Sequence, residues 1–315
     1  MLACCFDGHE VRVDPNYPDP DPPPGEVLVA VCLAGVCQTD LELVKGYMGF
    51  EGVLGHEFVG RALGGTLAGQ RVVGGINCAC GSCDLCRRGL PTHCRRRTTL
   101  GIDRRDGAFA ERLVLPDVNL VPVPDEVPNR AAVFTEPLAA AIQITRQVDL
   151  APEHHLVILG DGRLGQLVAR VFHANGLAPT VVGTSEAKLD LVRRLGLDTV
   201  TADEAKPHKT ADVVVEATGT ADGLAMALEF VRPRGTVVLK STMADTAGLD
   251  LAPLVVDEVT VVGSRCGPMG AAVALLAEAN LDTEPLVTAE YPLAKAKAAL
   301  ARAADPDAIK VLIRM

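Results

Sequence analysis

The chain has 315 residues, 48% of them hydrophobic, and a formal net charge of -10 at pH 7. It can therefore bury a substantial core and is long enough for two domains, and it lacks the overall basic surface that polyanion binding requires. The N-terminus has neither the basic region nor the apolar stretch of an export signal, and the longest apolar run, Val27 to Cys37, falls well short of the roughly 20 residues that span a bilayer; the composition suits a cytoplasmic protein whose partner is a small molecule, not a membrane or a nucleic acid.

Residues 1 to about 125 carry short β-branched runs, such as Val27 to Val31 and Arg71 to Val73, punctuated by glycine and proline, and read as a compact β domain. The proline-rich stretch from Asp14 to Pro24 cannot donate to a sheet ladder and reads as a surface loop. Val27 to Cys37 reads as a buried strand that delivers Cys37 to a site. One thiolate and one imidazole, at Cys37 and His56, form a donor pair that suits zinc.

Cys80, Cys83, Cys86 and Cys94 follow with the spacing C-x2-C-x2-C-x7-C. Four thiolates in one loop can close a tetrahedral shell around zinc, which leaves no coordination position for chemistry. Disulfides are the alternative for a chain with ten cysteines, but the tight clustering and the missing export signal favour reduced, metal-bound thiolates. Cys78 could replace one of the four, while Cys4, Cys5, Cys32 and Cys266 read as packing residues. Arg87, Arg88, Arg95, Arg96 and Arg97 give this lobe the look of a nucleic-acid-binding zinc module. No aromatic residues interleave with them and the whole chain is acidic, so they read instead as solvated arginines or a subunit contact.

From about residue 138 the pattern changes. His155 to Leu159, Thr180 to Gly183, Asp212 to Glu216 and Thr236 to Leu239 read as strands separated by helical stretches, an alternation that predicts a parallel sheet. Gly160-Asp161-Gly162-Arg163-Leu164-Gly165 follows the first of these strands and opens a helix from Leu164 to Ala174, the context in which a glycine turn cradles a dinucleotide pyrophosphate. In NAD-binding versions an acidic residue ends the second strand, about 20 residues further on. That position reads here as Thr184. Thr184 and Ser185 leave room for a 2′-phosphate that Lys188 and Arg163 could neutralise, which favours NADP over NAD; Glu186 is the ribose acceptor if the cofactor is NAD.

Taken together, six segments resemble the zinc-containing medium-chain dehydrogenases, the alcohol, polyol and glucose dehydrogenase superfamily, almost from end to end. They are Gly35-Val36-Cys37-Gln38-Thr39-Asp40, Gly55-His56-Glu57, the four-cysteine lobe, Phe134-Thr135-Glu136-Pro137-Leu138, the glycine turn and Gly263-Ser264-Arg265-Cys266-Gly267. The resemblance implies an α/β fold, with a Rossmann-type parallel-sheet domain over 138–266 and a discontinuous, β-rich, GroES-like catalytic domain built from 1–137 and 267–315. It implies two zinc ions per chain, a structural one on Cys80, Cys83, Cys86 and Cys94 and a catalytic one on Cys37 and His56. The third catalytic ligand would be Glu136, with Glu57 as the alternative. Asp40 would accept the second imidazole N–H of His56, Thr39 would take the proton of the bound alcohol, and Thr218, Gly219, Ser264 and Arg265 would join the glycine turn in holding the cofactor.

The activity so implied is zinc-dependent hydride transfer between a polyol, sugar or secondary alcohol and NAD(P), in a homodimer or homotetramer. A non-catalytic zinc- and nucleotide-binding regulatory protein of the same fold is the rival, and turnover by zinc-loaded protein separates the two. Singly, each residue also has a plainer reading: His56 as a packing histidine, Glu136 as an acid at a helix N-terminus, Asp40 as a helix cap, Thr39 as a back-bonded hydroxyl. The chain departs from the family pattern at Glu42, where many relatives carry a relay histidine, and in the segment between Cys37 and His56, where Lys45 to Leu54 reads as a trimmed loop.

Overall fold

Strand β1 (Glu26–Gly35) buries Val27, Val29, Val31 and Leu33 and turns the residues between them to a half-exposed face, the period-two pattern of a sheet with one side on a core. In the computed structural model, which describes residues 1–242, 250–278 and 281–315, β1 pairs antiparallel with β2 (Glu57–Ala62), with Arg112–Pro116 and with Lys310–Arg314. These belong to a seven-stranded sheet of the described residues. Two registers of that sheet place the site: Gly35 lies opposite Glu57 on one side and opposite Leu312 on the other. The last strand of the chain is thereby brought within two residues of the site's own strands. After Cys37, whose extended backbone caps it, helix α1 (Gln38–Val44) turns away and buries Leu41 and Leu43. The proline-rich stretch lies between strand Val11–Asp14 and β1, outside any strand. This unit comprises Met1–Glu136 and Met269–Met315.

The second unit, Pro137–Pro268, is a parallel sheet of β3 (Leu156–Leu159), β4 (Thr180–Gly183), β5 (Thr199–Thr201), β6 (Ala211–Glu216), β7 (Val231–Leu239) and β8 (Thr260–Gly263), in the order β5-β4-β3-β6-β7-β8 among the described residues. Helix α2 (Arg163–Ala174) connects β3 to β4, and α3 (Glu186–Arg193) connects β4 to β5. Val157, Leu159, Val214 and Val237 pack with Leu224 and Leu228 in one apolar cluster, each such burial contributing about 1.5–3 kcal/mol before chain entropy is counted. The strand order reverses between β3 and β6, which opens a crevice at the carboxyl ends of the strands, the usual ligand site of such sheets. The strand expected at Thr236 begins earlier, at Val231, directly after helix Ala221–Phe230. Among the described residues no helix is long and apolar enough to cross a membrane.

Candidate active site and metal centres

Gly55 adopts a left-handed backbone (φ +94°), and any Cβ there would collide with the Phe109 ring, so the Gly-His-Glu turn depends on glycine at that point. Its N–H donates to Asp40 Oδ1 at 3.2 Å, while the Cys37 N–H donates to Asp40 Oδ2 at 2.8 Å. The same Asp40 Oδ1 stands 3.2 Å from His56 Nδ1. A single buried carboxylate thus accepts the Cys37 N–H at the start of α1 and lies beside the His56 imidazole, whose Nδ1 meets no hydrogen-bond geometry. Donor atoms of Cys37, His56 and Glu57 all lie within 4.8 Å of one another.

Glu136 is not one of those converging donors; it stands in the first turn of helix Thr135–Gln147, where the helix macrodipole favours an acid. Burial opposes protonation of His56, but the neighbouring Asp40 and Cys37 outweigh it and hold the imidazole well above its usual range. Thr39 is half-buried, its Oγ1 3.8 Å from Cys37 Sγ. Glu42 accepts from Gln38 at 2.8 Å and from Lys45 at 3.0 Å on the outer face of α1.

The sequence reading missed Lys310. Glu57 and Lys310 are fully buried and form an ion pair, and Lys310 Nζ also faces Val36 O at 3.4 Å and lies 5.6 Å from the centroid of the Phe134 ring. Gly35, between the two strands that carry the pair, leaves the space they meet in: a Cβ there would run into the Glu57 carboxylate. While Oε2 of Glu57 meets the lysine, Oε1 is buried without a hydrogen-bond partner. An orphaned carboxylate oxygen, a thiol and an imidazole converging in a buried site fit a divalent metal with a borderline N/S/O donor preference, as zinc has. Nothing local in the sequence marks Lys310; it reads there as one residue of an apolar terminal strand.

The four lobe cysteines also converge within 4.8 Å, with Sγ–Sγ separations of 3.4 Å for Cys80–Cys94, 3.5 Å for Cys83–Cys86 and 3.7 Å for Cys83–Cys94. The surroundings favour the thiolate at two of them: the Ser82 amide lowers Cys80 to about 5, and the amides of Cys86 and Arg95 lower Cys83. Desolvation and the hydrogen bonds with Cys83 and Cys94 push Cys86 up to about 12. Cys78 is not among the converging thiols; its Sγ faces Ile76 O, and burial raises it to about 11. The flanking arginines fold back on the lobe. Arg95 pairs with Asp84 at 3.0 Å, Arg96 reaches Cys80 Sγ at 3.3 Å and Ser82 Oγ at 2.7 Å, and Arg87 reaches Ser82 O at 2.5 Å. Cys4 and Cys5 are buried in the core, as read from the sequence.

In the second unit the expected cofactor residues stand at the carboxyl ends of strands or in the first turn of the helices that follow them. Gly160 (φ +114°) leaves β3 with its Cα against the Ala217 backbone, and a Cβ on Gly165 would overlap the Gly160 carbonyl, so the turn is held tight enough for backbone N–H groups to approach a pyrophosphate. Gly162 caps α2, and Arg163 and Leu164 begin it. Thr184 and Ser185 follow β4, and Lys188 is buried one turn into α3. Thr218 and Gly219 follow β6, their N–H groups donating at 2.7 and 3.1 Å to Glu216 Oε1, a fully buried carboxylate with no counterpart in the sequence reading. Ser264 and Arg265 follow β8 and are tied to β7 by Lys240, whose Nζ donates at 3.2 Å to both Ser264 Oγ and Arg265 O. A phosphate-binding turn at the switch point of a parallel sheet fits a dinucleotide.

Residues 23–125 match the alcohol dehydrogenase GroES-like domain, and residues 164–278 match the zinc-binding dehydrogenase domain. L-threonine 3-dehydrogenase from Streptomyces avermitilis is 31% identical over 95% of this chain and 94% of its own length. The chain belongs to the zinc-containing medium-chain dehydrogenase superfamily. Sorbitol dehydrogenase from Halalkalibacterium halodurans is 28% identical over 94% of this chain and 93% of its own length. Among solved structures, a zinc-binding dehydrogenase from Sinorhizobium meliloti 1021 bound to NADP superposes with a TM-score of 0.90 at 25% identity, covering 100% of this chain and 99% of that one. As a member of this superfamily the protein is an oxidoreductase that acts on the alcohol group of a small molecule and uses zinc and a nicotinamide dinucleotide.

Proposed function

We propose that the protein oxidises a secondary hydroxyl of a polyol, sugar or other hydroxylated small molecule, with Cys37, His56 and Glu57 as the protein ligands of its catalytic zinc. The observation that carries this reading is the convergence of those three donors in a buried site, together with the partnerless Oε1 of Glu57. The threonine and sorbitol dehydrogenases among its relatives support the substrate class. When bound, zinc supplies Lewis-acid polarisation of the substrate hydroxyl, and the nicotinamide accepts the hydride.

The remaining work falls to the chain. Asp40 places its charge 3.2 Å from Nδ1 of His56 and fixes the backbone from which Cys37 projects. Thr39, half-buried beside Cys37, takes the hydroxyl proton. Lys310 balances Glu57, so the ligand set does not carry two uncompensated buried charges. Glu136 serves outside the ligand set. The four-cysteine lobe holds a second, structural zinc, and the 1–137 and 267–315 segments form the catalytic domain, with 138–266 holding the dinucleotide. Exposed Leu251, Val255, Val256 and Val261, the last of these on edge strand β8, support a contact between two copies of the chain.

The test is metal analysis of chelator-free protein followed by a screen of polyols and secondary alcohols, read by nicotinamide absorbance. Two zinc ions per chain and turnover of a secondary alcohol are expected. A fully zinc-loaded protein that binds the dinucleotide yet turns over none of the panel would overturn the reading in favour of a regulatory protein.

A further inference from the structure

The end of β4 is where a dinucleotide-binding sheet of this kind places the acidic residue that accepts the adenosine ribose hydroxyls. In this chain β4 ends in Gly183. The space a side chain would need there is already filled: a Cβ on Gly183 would come within 2.5 Å of Asp161 Oδ2 and 2.6 Å of Asp161 Cβ. Asp161, the second residue of the glycine turn, reaches across from the end of β3 and lays its carboxylate over the strand end. There it is 7% exposed, and its Oδ2 accepts the N–H groups of Thr184 at 2.8 Å and Ser185 at 2.7 Å. The described residues give Oδ1 no hydrogen-bond partner. Glu186, the other acid at this strand end, is exposed and pairs with Arg193 at 2.8 Å on its own helix.

We propose that Asp161 replaces the missing strand-end acid: its carboxylate receives the adenosine ribose hydroxyls and makes the enzyme select NAD over NADP. The inference rests on the dehydrogenase reading above and reverses the cofactor preference drawn from the small residues Thr184 and Ser185. Those residues are small, but the amides they would offer to a 2′-phosphate are already held by a carboxylate. A phosphate placed there meets a fixed negative charge in a partly desolvated crevice, whereas ribose hydroxyls meet an acceptor. Arg163 begins α2 and Lys188 is buried in α3, while both amides donate to Asp161 Oδ2.

The experiment is fluorescence titration of the zinc-loaded, full-length protein with NADH and with NADPH, repeated for Asp161→Asn, Asp161→Ser and the double variant Asp161→Gly/Gly183→Asp, which also removes the Asp161 Cβ that would otherwise crowd residue 183. The unaltered protein is expected to bind NADH about tenfold or more tighter than NADPH. Both single variants should bring the two affinities together, chiefly by weakening NADH, and the double variant, which returns a carboxylate to the strand end, should restore the NADH preference. Tighter binding of NADPH by the unaltered protein would overturn the proposal, as would an equal loss for both cofactors in Asp161→Asn, because that marks a carboxylate that only braces the Thr184–Ser185 turn. Failure to bind either cofactor would overturn the oxidoreductase reading along with it.

Discussion

Replacing Lys310 with methionine keeps most of the buried stem and removes the charge that faces Glu57. The side chains of Lys310 and Glu57 are 2% and 1% exposed, and among the described residues no other lysine or arginine is paired with the carboxylate, whose further neighbour of positive character is the His56 ring, within 4.8 Å. Deleting one partner of a buried pair leaves the other charged and dry, which costs about 3–5 kcal/mol, far more than the loss of a surface pair. The loss should be largest in chelator-treated protein, where the His56 ring, within 4.8 Å, is the one positive group left beside Glu57 among the described residues and Oε1 has no hydrogen-bond partner. It should shrink when zinc is restored, because the metal supplies the missing positive charge. Urea unfolding of Lys310→Met, Glu57→Gln and the double variant, each with and without zinc, measures this; the double variant should recover at least about 1 kcal/mol relative to the sum of the singles. A Lys310→Met protein within about 1 kcal/mol of the unaltered one after chelation would refute the argument that this pair is dry and isolated.

Asp40→Asn keeps the shape but not the charge that orients His56 and Cys37, and should weaken zinc at the catalytic site by about 10–100-fold, read by competition with a chromogenic chelator; unchanged affinity would remove Asp40 from the positioning role. Gly165→Ala places a methyl group against the Gly160 carbonyl and should abolish dinucleotide binding while costing about 1–3 kcal/mol of stability, measured by cofactor fluorescence and thermal unfolding. The bond from Arg232 at 2.7 Å and the His155 N–H at 2.8 Å hold Asp212 below the usual carboxylate range. Its folded pKa is therefore below its unfolded value of about 3.9, so the stability it contributes is present above that value and lost as pH falls through the folded one. Asp212→Asn should consequently lower the unfolding midpoint at pH 7 and approach the unaltered protein as pH falls through the folded value; an equal deficit at neutral and acid pH would point to packing instead.

The signals legible in the sequence were local. Cysteines with two residues between them can turn onto one point, and Cys80, Cys83, Cys86 and Cys94 do converge. A glycine turn between an apolar strand and a helix likewise carries its own geometry, from Gly160 to Gly165. The alternation of β3, β4, β6 and β7 with helices was enough for a parallel sheet, because buried parallel strands need helical crossovers.

What the tertiary structure alone decided are contacts between segments far apart in the chain. Lys310 meets Glu57 across 253 residues, because the last strand pairs with β1 beside Gly35, and no local pattern specifies which strand closes a sheet. The gathering of Glu57 instead of Glu136 with Cys37 and His56 follows from the same register. The carboxylate at the end of β4 comes from Asp161 because β3 and β4 are neighbours in the sheet, so an acid absent from one strand end is supplied by the turn beside it. Sequence spacing sets what a loop can do by itself; which side chains from different loops share a buried volume depends on strand order and register, and those are settled only when the whole core packs.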